Sequence, residues 1–544
     1  MSRFVEAACA GPGKTQSVPS LAYVFLSFMI ITNTDLLRLG VLAAGIIALL
    51  ALSEAARRLF GWPDEVSRKI VHVATGMVIF FAPPFFPNAG AVVLIAGLFV
   101  AVNIAAYARG WLKAVHHSKR KSFGTVYYPL ALLLLAAPFW NAYPDLVVAA
   151  ITVMAIGDAA AGIVGESIRT PLIYRITGDI KSVQGSVAMF IGTLLALSAA
   201  LVMYGNGGLA FGLIFSHSPL IAVLALAAIA AFATGWEAAS SRGLDNLTVP
   251  IMTAAALHVC FAASGEINTN SSVFSGAAAV TAAAGRFVLA SGLGLLIAAA
   301  AWKARMLQAS GAVATFLLAA IVFGIGGWQW TLPIFTFFIL SSFLSKWRKQ
   351  QKAPFESMFE KSGNRDAAQV AANGAIVGAL ALLWHFTGDD RLYLLSLVAV
   401  AVVTADTWGT EIGVLARKQP RSVLTGKRVP PGTSGGISLA GTLGGIAGAA
   451  VVSLTALPFV PLAPWQIFAI VAFGALGSLF DSLLGATLQA QYRCEICGKH
   501  TEKTTHCEAS SHQLGGLTWL RNDAVNLIST ILAVALAASL LLLQ

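Results

Sequence analysis

Apolar runs of about 20 residues recur along the chain between short polar turns, and each is long enough to cross a bilayer as an α-helix. They fall near 20–34, 37–57, 70–86, 90–106, 125–139, 147–165, 186–204, 212–234 and 248–265. A second series falls near 275–301, 311–325, 329–345, 367–387, 392–411, 434–457, 465–488 and 523–543. The pattern predicts an all-α, polytopic membrane protein of about 17 spans in two related bundles. Long runs without period-two alternation argue against a β-barrel. Residues 1–19 read as a polar tail, 20–265 as a first membrane domain and 266–274 as a polar linker. Residues 275–544 read as a second membrane domain with a hydrophilic loop at 490–521.

Basic residues sort the turns into two sets. Arg57, Arg58, Arg68 and Lys69 share one loop, Arg109 to Lys121 lie two spans on, and Arg169 to Lys181 two spans later. In the second half Lys303, Lys346 to Lys352, Arg417 to Arg428 and Arg493 to Arg521 fall on that same side. The intervening turns 82–90 and 141–145 carry none. Positive-inside bias then places the N-terminus in the cytoplasm and the C-terminus outside. Composition agrees: 57% hydrophobic and 11% charged residues, with mean hydropathy +0.78, exclude an average soluble enzyme. The net charge of +11 reads as the bias of cytoplasmic loops, so no nucleic-acid partner is expected.

Against this background the buried acids stand out. Asp158 and Glu166 lie in the run 151–166, and Asp406 and Glu411 in the run 401–413. An ionised carboxylate in hydrocarbon is costly, and one that sits in a span normally faces protein, water or a cation. The halves repeat a layout. Asp158 is followed by Lys181, Ser182, Gly185 and Ser186 at the start of a span, then by Glu237, Asp245 and Asn246. Asp406 is followed by Thr433, Gly435 and Gly436, also at the start of a span, then by Asp481. A helix beginning at Ser182 or Thr433 offers unpaired N–H donors and a positive dipole end, and glycine admits an anion close to the backbone. Phosphate fits that arrangement. Asp158, Asp406 and Asp481 would hold Mg²⁺ on it, with Lys181, Arg365, Lys427 and Arg521 offsetting the remaining charge.

Other polar residues extend both sites. In the first half Lys121, Ser122 and Thr125 are candidate phosphate contacts, and His72 is a candidate donor or general base. In the second half Asp366, Gln369 and Asn373 form one stripe entering a helix, and Asn522, Asp523 and Asn526 open the last span. The loop 492–519 carries Cys494, Cys497 and Cys507 with His506 and His512. Cys494, Cys497, Cys507 and His512 form a candidate structural zinc set, with His506 as the other choice for the fourth ligand.

These motifs carry two resemblances. Arg68-Lys69-xx-His72, Lys121-x-Phe123-Gly124-Thr125, Gly157-Asp158-Ala159, Lys181-Ser182-xx-Gly185-Ser186 and Asp245-Asn246-xxx-Pro250 resemble the phytol kinase branch of the CTP-dependent dolichol and phytol kinase superfamily. That resemblance departs at Glu166, where the family usually has Arg, and at Gln184, where it is often acidic. Gly363-x-Arg365-Asp366-xx-Gln369, Ala405-Asp406-Thr407-Trp408, Gly432-Thr433-x-Gly435-Gly436-x-Ser438 and Trp519-Leu520-x-Asn522-Asp523 resemble the integral membrane family that contains phytyl-phosphate kinases. What they imply is phosphorylation of a long-chain isoprenoid alcohol such as phytol to its monophosphate and then diphosphate. The donor would be CTP or another nucleoside triphosphate, in a pathway toward tocopherol or salvage of chlorophyll. Cytidylyl transfer to a lipid phosphate and transport of a phosphorylated lipid are the alternatives. Membrane lipid is the expected surround, a bacterial inner membrane the expected location, and homo-oligomerisation is open.

Overall fold

The computed structural model describes residues 31–61, 64–109, 123–204, 209–262, 273–348, 350–352, 364–498 and 500–541. Lys121 and Ser122 lie outside them, as does the tail at 1–19. The chain divides into two compact units, one running to Gly285 without Arg175–Thr177, the other comprising Arg286–Gln544 with Arg175–Thr177.

The first unit opens with α1 (Asn33–Phe60). Thr32 and Asp35 form a capping box at its start, and Gly61 ends it in the left-handed region at φ 63°. Then come α2 (Asp64–Phe80), α3 (Ala89–Arg109), α4 (Gly124–Phe139) and α5 (Pro144–Ser167). A two-stranded antiparallel hairpin, β1 (Ile173–Tyr174) with β2 (Lys181–Ser182), leads into α6 (Val183–Tyr204). Short α7 (Phe211–His217), α8 (Pro219–Ala239) and α9 (Asp245–Phe261) complete the bundle. Helix α5 is its axis: every residue from Leu146 to Ala155 is at most 1% exposed. A helix apolar all round has no face to give to water, so it sits inside the bundle against α2, α4, α6 and α9. That run ends three residues before Asp158.

The second unit is built the same way. Helix α10 (Val273–Lys303) contains the division between the units, and α11 (Ala309–Lys346) and α12 (Ala367–Thr387) follow. Then α13 (Arg391–Gly413) is the buried axis, its residues Leu395 to Ala405 at most 7% exposed. A second antiparallel hairpin, β3 (Arg421–Ser422) with β4 (Gly436–Ile437), precedes α14 (Leu439–Leu454), α15 (Pro464–Thr487) and α16 (Asn522–Leu541). Between α15 and α16 the hydrophilic loop folds as a four-stranded antiparallel sheet. Its strands are β5 (Gln491–Cys494), β6 (His500–Thr501), β7 (Thr505–His506) and β8 (Ala509–Gly515), in the order β6-β5-β8-β7. Among the described residues, this sheet and the two short hairpins are the β-structure of an otherwise helical protein.

Among the described residues, eleven helices are long and apolar enough to cross a membrane, which corrects the expected seventeen. Helices α4 and α14 have 16 residues each, and the apolar part of α2 is confined to Lys69–Phe80. At 1.5 Å per residue a 16-residue helix reaches only about 24 Å, against a hydrocarbon core of about 30 Å. Helix α9, with 17 residues, is also below span length. The runs 311–325 and 329–345 join as α11, whose direction breaks at Gly327 (φ 64°, ψ −156°). The run at 20–34 begins outside the described residues. These short helices satisfied the hydropathy pattern because both of their faces are apolar: one packs in the bundle, as at Ala131 and Leu135 of α4, and the other is exposed, as at Leu134 of α4 and Leu439 and Leu443 of α14.

Candidate functional site

In the first unit a lysine sits among three carboxylates. The Lys181 ammonium, at the start of β2, ion-pairs with Glu237 of α8 and lies 3.7 Å from Asp245 Oδ2 at the start of α9. Asp158, on α5, acts electrostatically on both Lys181 and Asp245. Burial pushes Lys181 down, but Glu237 and Asp245 outweigh it and hold the ammonium above its ordinary value. Glu237 is only 6% exposed, and its Oε2 has no hydrogen-bond partner among the described residues. The first unit therefore brings together Asp158, Lys181, Glu237 and Asp245. Its Lys181 is paired with Glu237 and lies near Asp245.

The neighbours frame this cluster. His72 packs against Tyr128 with ring centroids 4.2 Å apart and planes tilted by 46°, and the Tyr128 hydroxyl feels the Asp158 charge. Thr125 lies in the first turn of α4, and Asn246 N–H donates to Asp245 Oδ1 (3.0 Å). Ser186 shares a hydrogen bond with the Tyr174 hydroxyl (2.5 Å), which fastens β1 to α6. Lys69, absent from the expected site residues, pairs with Glu166 (3.2 Å) and lies against Gly162. That places the departing Glu166 opposite a cation.

The second unit encloses a cavity of about 750 Å³ lined by α11 to α16 and the β3–β4 connection. Asp406, Glu411, Asp481, Asp523, Arg365 and Gln369 all line it. So do Asn373, Thr433, Gly435, Gly436, Asn522 and Asn526. At one end Asp481 accepts from Ser529 Oγ (3.2 Å) and, with its amide turned, from Asn526 (2.8 Å). Asp406 and Asp481 are close enough to act on one another electrostatically. Toward the other end Lys352 ion-pairs with Glu411, to which Ser345 also donates. Arg365 lies over the rings of Phe337 and Phe338, each centroid 5.6 Å away. Burial lowers the Arg365 guanidinium below its ordinary value, and Glu411 opposes that.

Four expected residues do other work. Asp366 caps α12: its Oδ1 accepts the Gln369 N–H (3.0 Å), so it braces the helix and does not line the cavity. Lys427 and Arg521 are exposed and do not line the cavity. Thr433 lines the cavity but does not begin a helix, since Gly436 and Ile437 are strand residues and the N-cap of α14 is Ser438. Among the lining residues that were missed are Lys352, Glu502 and Gln489. Gln489 is 4% exposed with its Nε2 unpartnered among the described residues. The first lies in a loop read only for its charge, and the others border or occupy the sheet.

Once Ser438 is the cap, the two units show one construction. Gly185 N–H donates to Ser182 Oγ (3.1 Å), and Gly441 N–H donates to Ser438 Oγ (3.1 Å). A Cβ at Gly185 would lie 3.6 Å from Gly165 Cα, and one at Gly441 3.2 Å from Gly413 Cα. Gly165 and Gly413 each stand seven residues after an aspartate, Asp158 and Asp406. Each axis helix thus crosses the helix after the hairpin through a glycine seam, with the aspartate two turns away. The expected match of Ser182 to Thr433 is replaced by Ser182 to Ser438.

The sheet gathers a separate set. Ligand atoms of Cys494, Cys497, His506 and Cys507 all lie within 4.8 Å of one another. His512 is not among them. On β8 it pairs with Arg493, whereas Ser511 pairs with Cys494, and alternation puts His512 on the opposite face.

A family model described as "Integral membrane protein DUF92" matches residues 292–534. The chain is 30% identical over 272 residues to Protein PGR of Arabidopsis thaliana, covering 45% of this chain and 93% of that protein. It is 31% identical over 217 residues to Phytol kinase of Synechocystis sp., covering 40% of this chain and 88% of that protein. A probable chloroplastic phytol kinase of Triticum aestivum is 30% identical over 206 residues, covering 35% of this chain and 65% of that protein. No solved structure matches.

Proposed function

We propose that this chain, which belongs with the phytol-kinase-like proteins over its N-terminal region and matches the DUF92 integral membrane proteins over residues 292–534, phosphorylates an isoprenoid alcohol of the phytol class twice. The first unit takes the alcohol to its monophosphate, and the second takes the monophosphate to the diphosphate. CTP or another nucleoside triphosphate is the donor.

In the first step a bond forms between the lipid oxygen and the terminal phosphorus of the nucleotide. The bond to the bridging oxygen breaks, and a nucleoside diphosphate leaves. The hydroxyl proton must go to a base, and His72, beside Tyr128 and Asp158, is our candidate. In the second step the nucleophile is an oxygen of the lipid monophosphate, already ionised near neutral pH, so positioning replaces deprotonation. A cavity holding acids at one end and Arg365 at the other suits that task. The acids suit a divalent cation, while Gln489 Nε2, Arg365 and the glycine-lined backbone suit phosphate oxygens.

The donor set fits Mg²⁺. Asp158, Glu237 and Asp245 in the first unit, and Asp406 and Asp481 in the second, supply only oxygens, and the unpartnered Glu237 Oε2 leaves an acceptor to spare. Bound there, Mg²⁺ would neutralise charge on the transferred phosphoryl group. Lys181 then orients Glu237 and Asp245, and Lys352 holds Glu411 in place.

The observation that carries this reading is the convergence of Asp406, Asp481 and Asn526, from three different helices, on one cavity beside backbone stripped of side chains. Purified protein supplied with phytol, Mg²⁺ and CTP labelled at either the α- or γ-phosphorus tests it. Label from the γ-position in lipid mono- and diphosphate is expected. Label from the α-position in the lipid would mean cytidylyl transfer and overturn the assignment.

A further inference from the structure

The sheet between α15 and α16 does two things at once: it assembles four metal-type ligands, and it delivers an acid to the cavity. The turn Cys494–Gly498 has the form of a metal knuckle. Cys497 N–H points at Cys494 Sγ (3.5 Å), Gly498 N–H donates to the Cys494 carbonyl (3.0 Å), and Gly498 adopts φ 67°. Across from it, Cys507 and Glu508 take the left-handed region at φ 52° and 61°, which folds the chain back at the end of β7. His506 Nδ1 then lies 3.1 Å from Cys507 Sγ and 3.5 Å from Cys497 Sγ. None of the three cysteines is in a disulfide. Three thiols and one imidazole nitrogen at these separations make a closed, soft, tetrahedral donor set, which selects Zn²⁺ over the oxygen-seeking Mg²⁺.

Four residues before His506, the turn joining β6 to β7 carries Glu502. Its Oε1 accepts from Ser434 Oγ (2.8 Å), in the connection that precedes β4. Glu502 lines the cavity and acts electrostatically on both Asp406 and Asp481. Of the carboxylates that line the cavity, Asp406, Asp481 and Glu502 therefore act on one another, and the third comes from a sheet whose strands are only two to seven residues long. Such short strands bury little of their own, and a small module of this kind depends on a metal for its shape. Both ends of the segment carrying Glu502 are bound into the cluster's framework: β6 pairs with β5, which ends at Cys494, and β7 ends at His506.

We propose that a zinc ion held by Cys494, Cys497, His506 and Cys507 fixes the β6–β7 turn so that Glu502 completes the acidic end of the cavity. The cavity's hold on a divalent cation thereby depends on zinc and on reduced thiols. The cysteines and His506 are positioning residues, acting through Glu502. The dependence rests on reading the cavity as a cation and phosphate site, whereas the zinc site does not.

The full-length protein in detergent serves for both tests. Metal analysis should find one zinc per chain, lost in Cys497→Ser. Cobalt substitution should give the near-ultraviolet sulfur-to-metal absorption of thiolate ligands. No zinc, or unchanged zinc in Cys497→Ser and Cys507→Ser alike, overturns the site. Mn²⁺ binding to the cavity, followed by electron paramagnetic resonance, tests the coupling. About 10- to 100-fold weaker Mn²⁺ binding is expected after zinc removal and in Glu502→Gln. Glu502→Gln should retain its zinc, and adding zinc back to the stripped wild type should restore Mn²⁺ affinity. Unchanged Mn²⁺ affinity in zinc-free protein, with affinity lost in Asp406→Asn, overturns the coupling while the cavity reading stands. No Mn²⁺ binding by the zinc-loaded wild type overturns the cavity reading itself and the coupling with it.

Discussion

Substituting Gly441 by alanine tests whether the glycine seam positions Asp406. A Cβ there would sit 2.6 Å from Gly409 O, 3.0 Å from Ser438 Oγ and 3.2 Å from Gly413 Cα. An ordinary contact begins near 3.4 Å, so α14 must retreat from α13 by roughly 0.8 Å, the difference between 3.4 and 2.6. The closest obstacle is backbone, which cannot turn aside as a side chain can. Overpacking of this kind costs about 1–3 kcal/mol. At roughly 2–4 °C per kcal/mol for a unit of this size, the unfolding midpoint should fall by several degrees. Gly97→Ala on α3 is the control, because nothing lies within 4 Å of its added Cβ. Heating both variants in the same detergent at one scan rate, and reading loss of the monodisperse species, gives the comparison. Gly441→Ala should also slow phosphorylation of the lipid monophosphate more than that of the alcohol. Equal midpoints for the two variants would refute the seam as the element that sets the spacing of α13 and α14.

Three further outcomes follow from particular contacts. Ser438→Ala removes the cap of α14 and should cost about 1 kcal/mol, while Thr433→Ala should cost less, since Thr433 bonds only to the Pro430 carbonyl; thermal midpoints decide. Lys352→Ala leaves Glu411 with Ser345 as its remaining donor and should destabilise by about 1–3 kcal/mol, with part recovered in the double variant carrying Glu411→Gln; a double-mutant cycle on unfolding midpoints measures it. Lys181, raised above its ordinary value of 10.5, contributes stability that is fully present below that value and is lost as pH rises through its folded-state value. The wild type should therefore lose thermal stability above about pH 10.5, and Lys181→Met should show a flatter profile there.

Much of the fold could be read from the chain because its apolar runs are uninterrupted and its turns are polar. The two axis helices were visible as the runs that carry Asp158 and Asp406, and the cavity does collect Asp406, Asp481, Arg365 and Asn526. Hydropathy failed where α4, α9 and α14 are apolar yet too short to span, because composition reports how apolar a helix is and not whether its length reaches across a bilayer. It failed again at Thr433, where the glycines read as the start of a helix but form the turn of a hairpin. Ser438, three residues before Gly441, whose N–H it accepts, was the better cap signal. Lys352 and Glu502 were invisible as site residues, since loop charges on the basic face look alike until the chain folds back. The fourth metal-type ligand was left between two histidines, and strand alternation in β8 chose His506. What remained unreadable is tertiary: which loops return to which helix ends.

The division of labour between the units is tested most directly by product analysis of two variants. Given phytol, Mg²⁺ and a nucleoside triphosphate, Asp406→Asn should accumulate phytyl monophosphate and make no diphosphate. Asp158→Asn should leave phytol untouched yet convert supplied monophosphate to diphosphate. Loss of both steps in either folded variant, or of neither step in both, would contradict two separate sites.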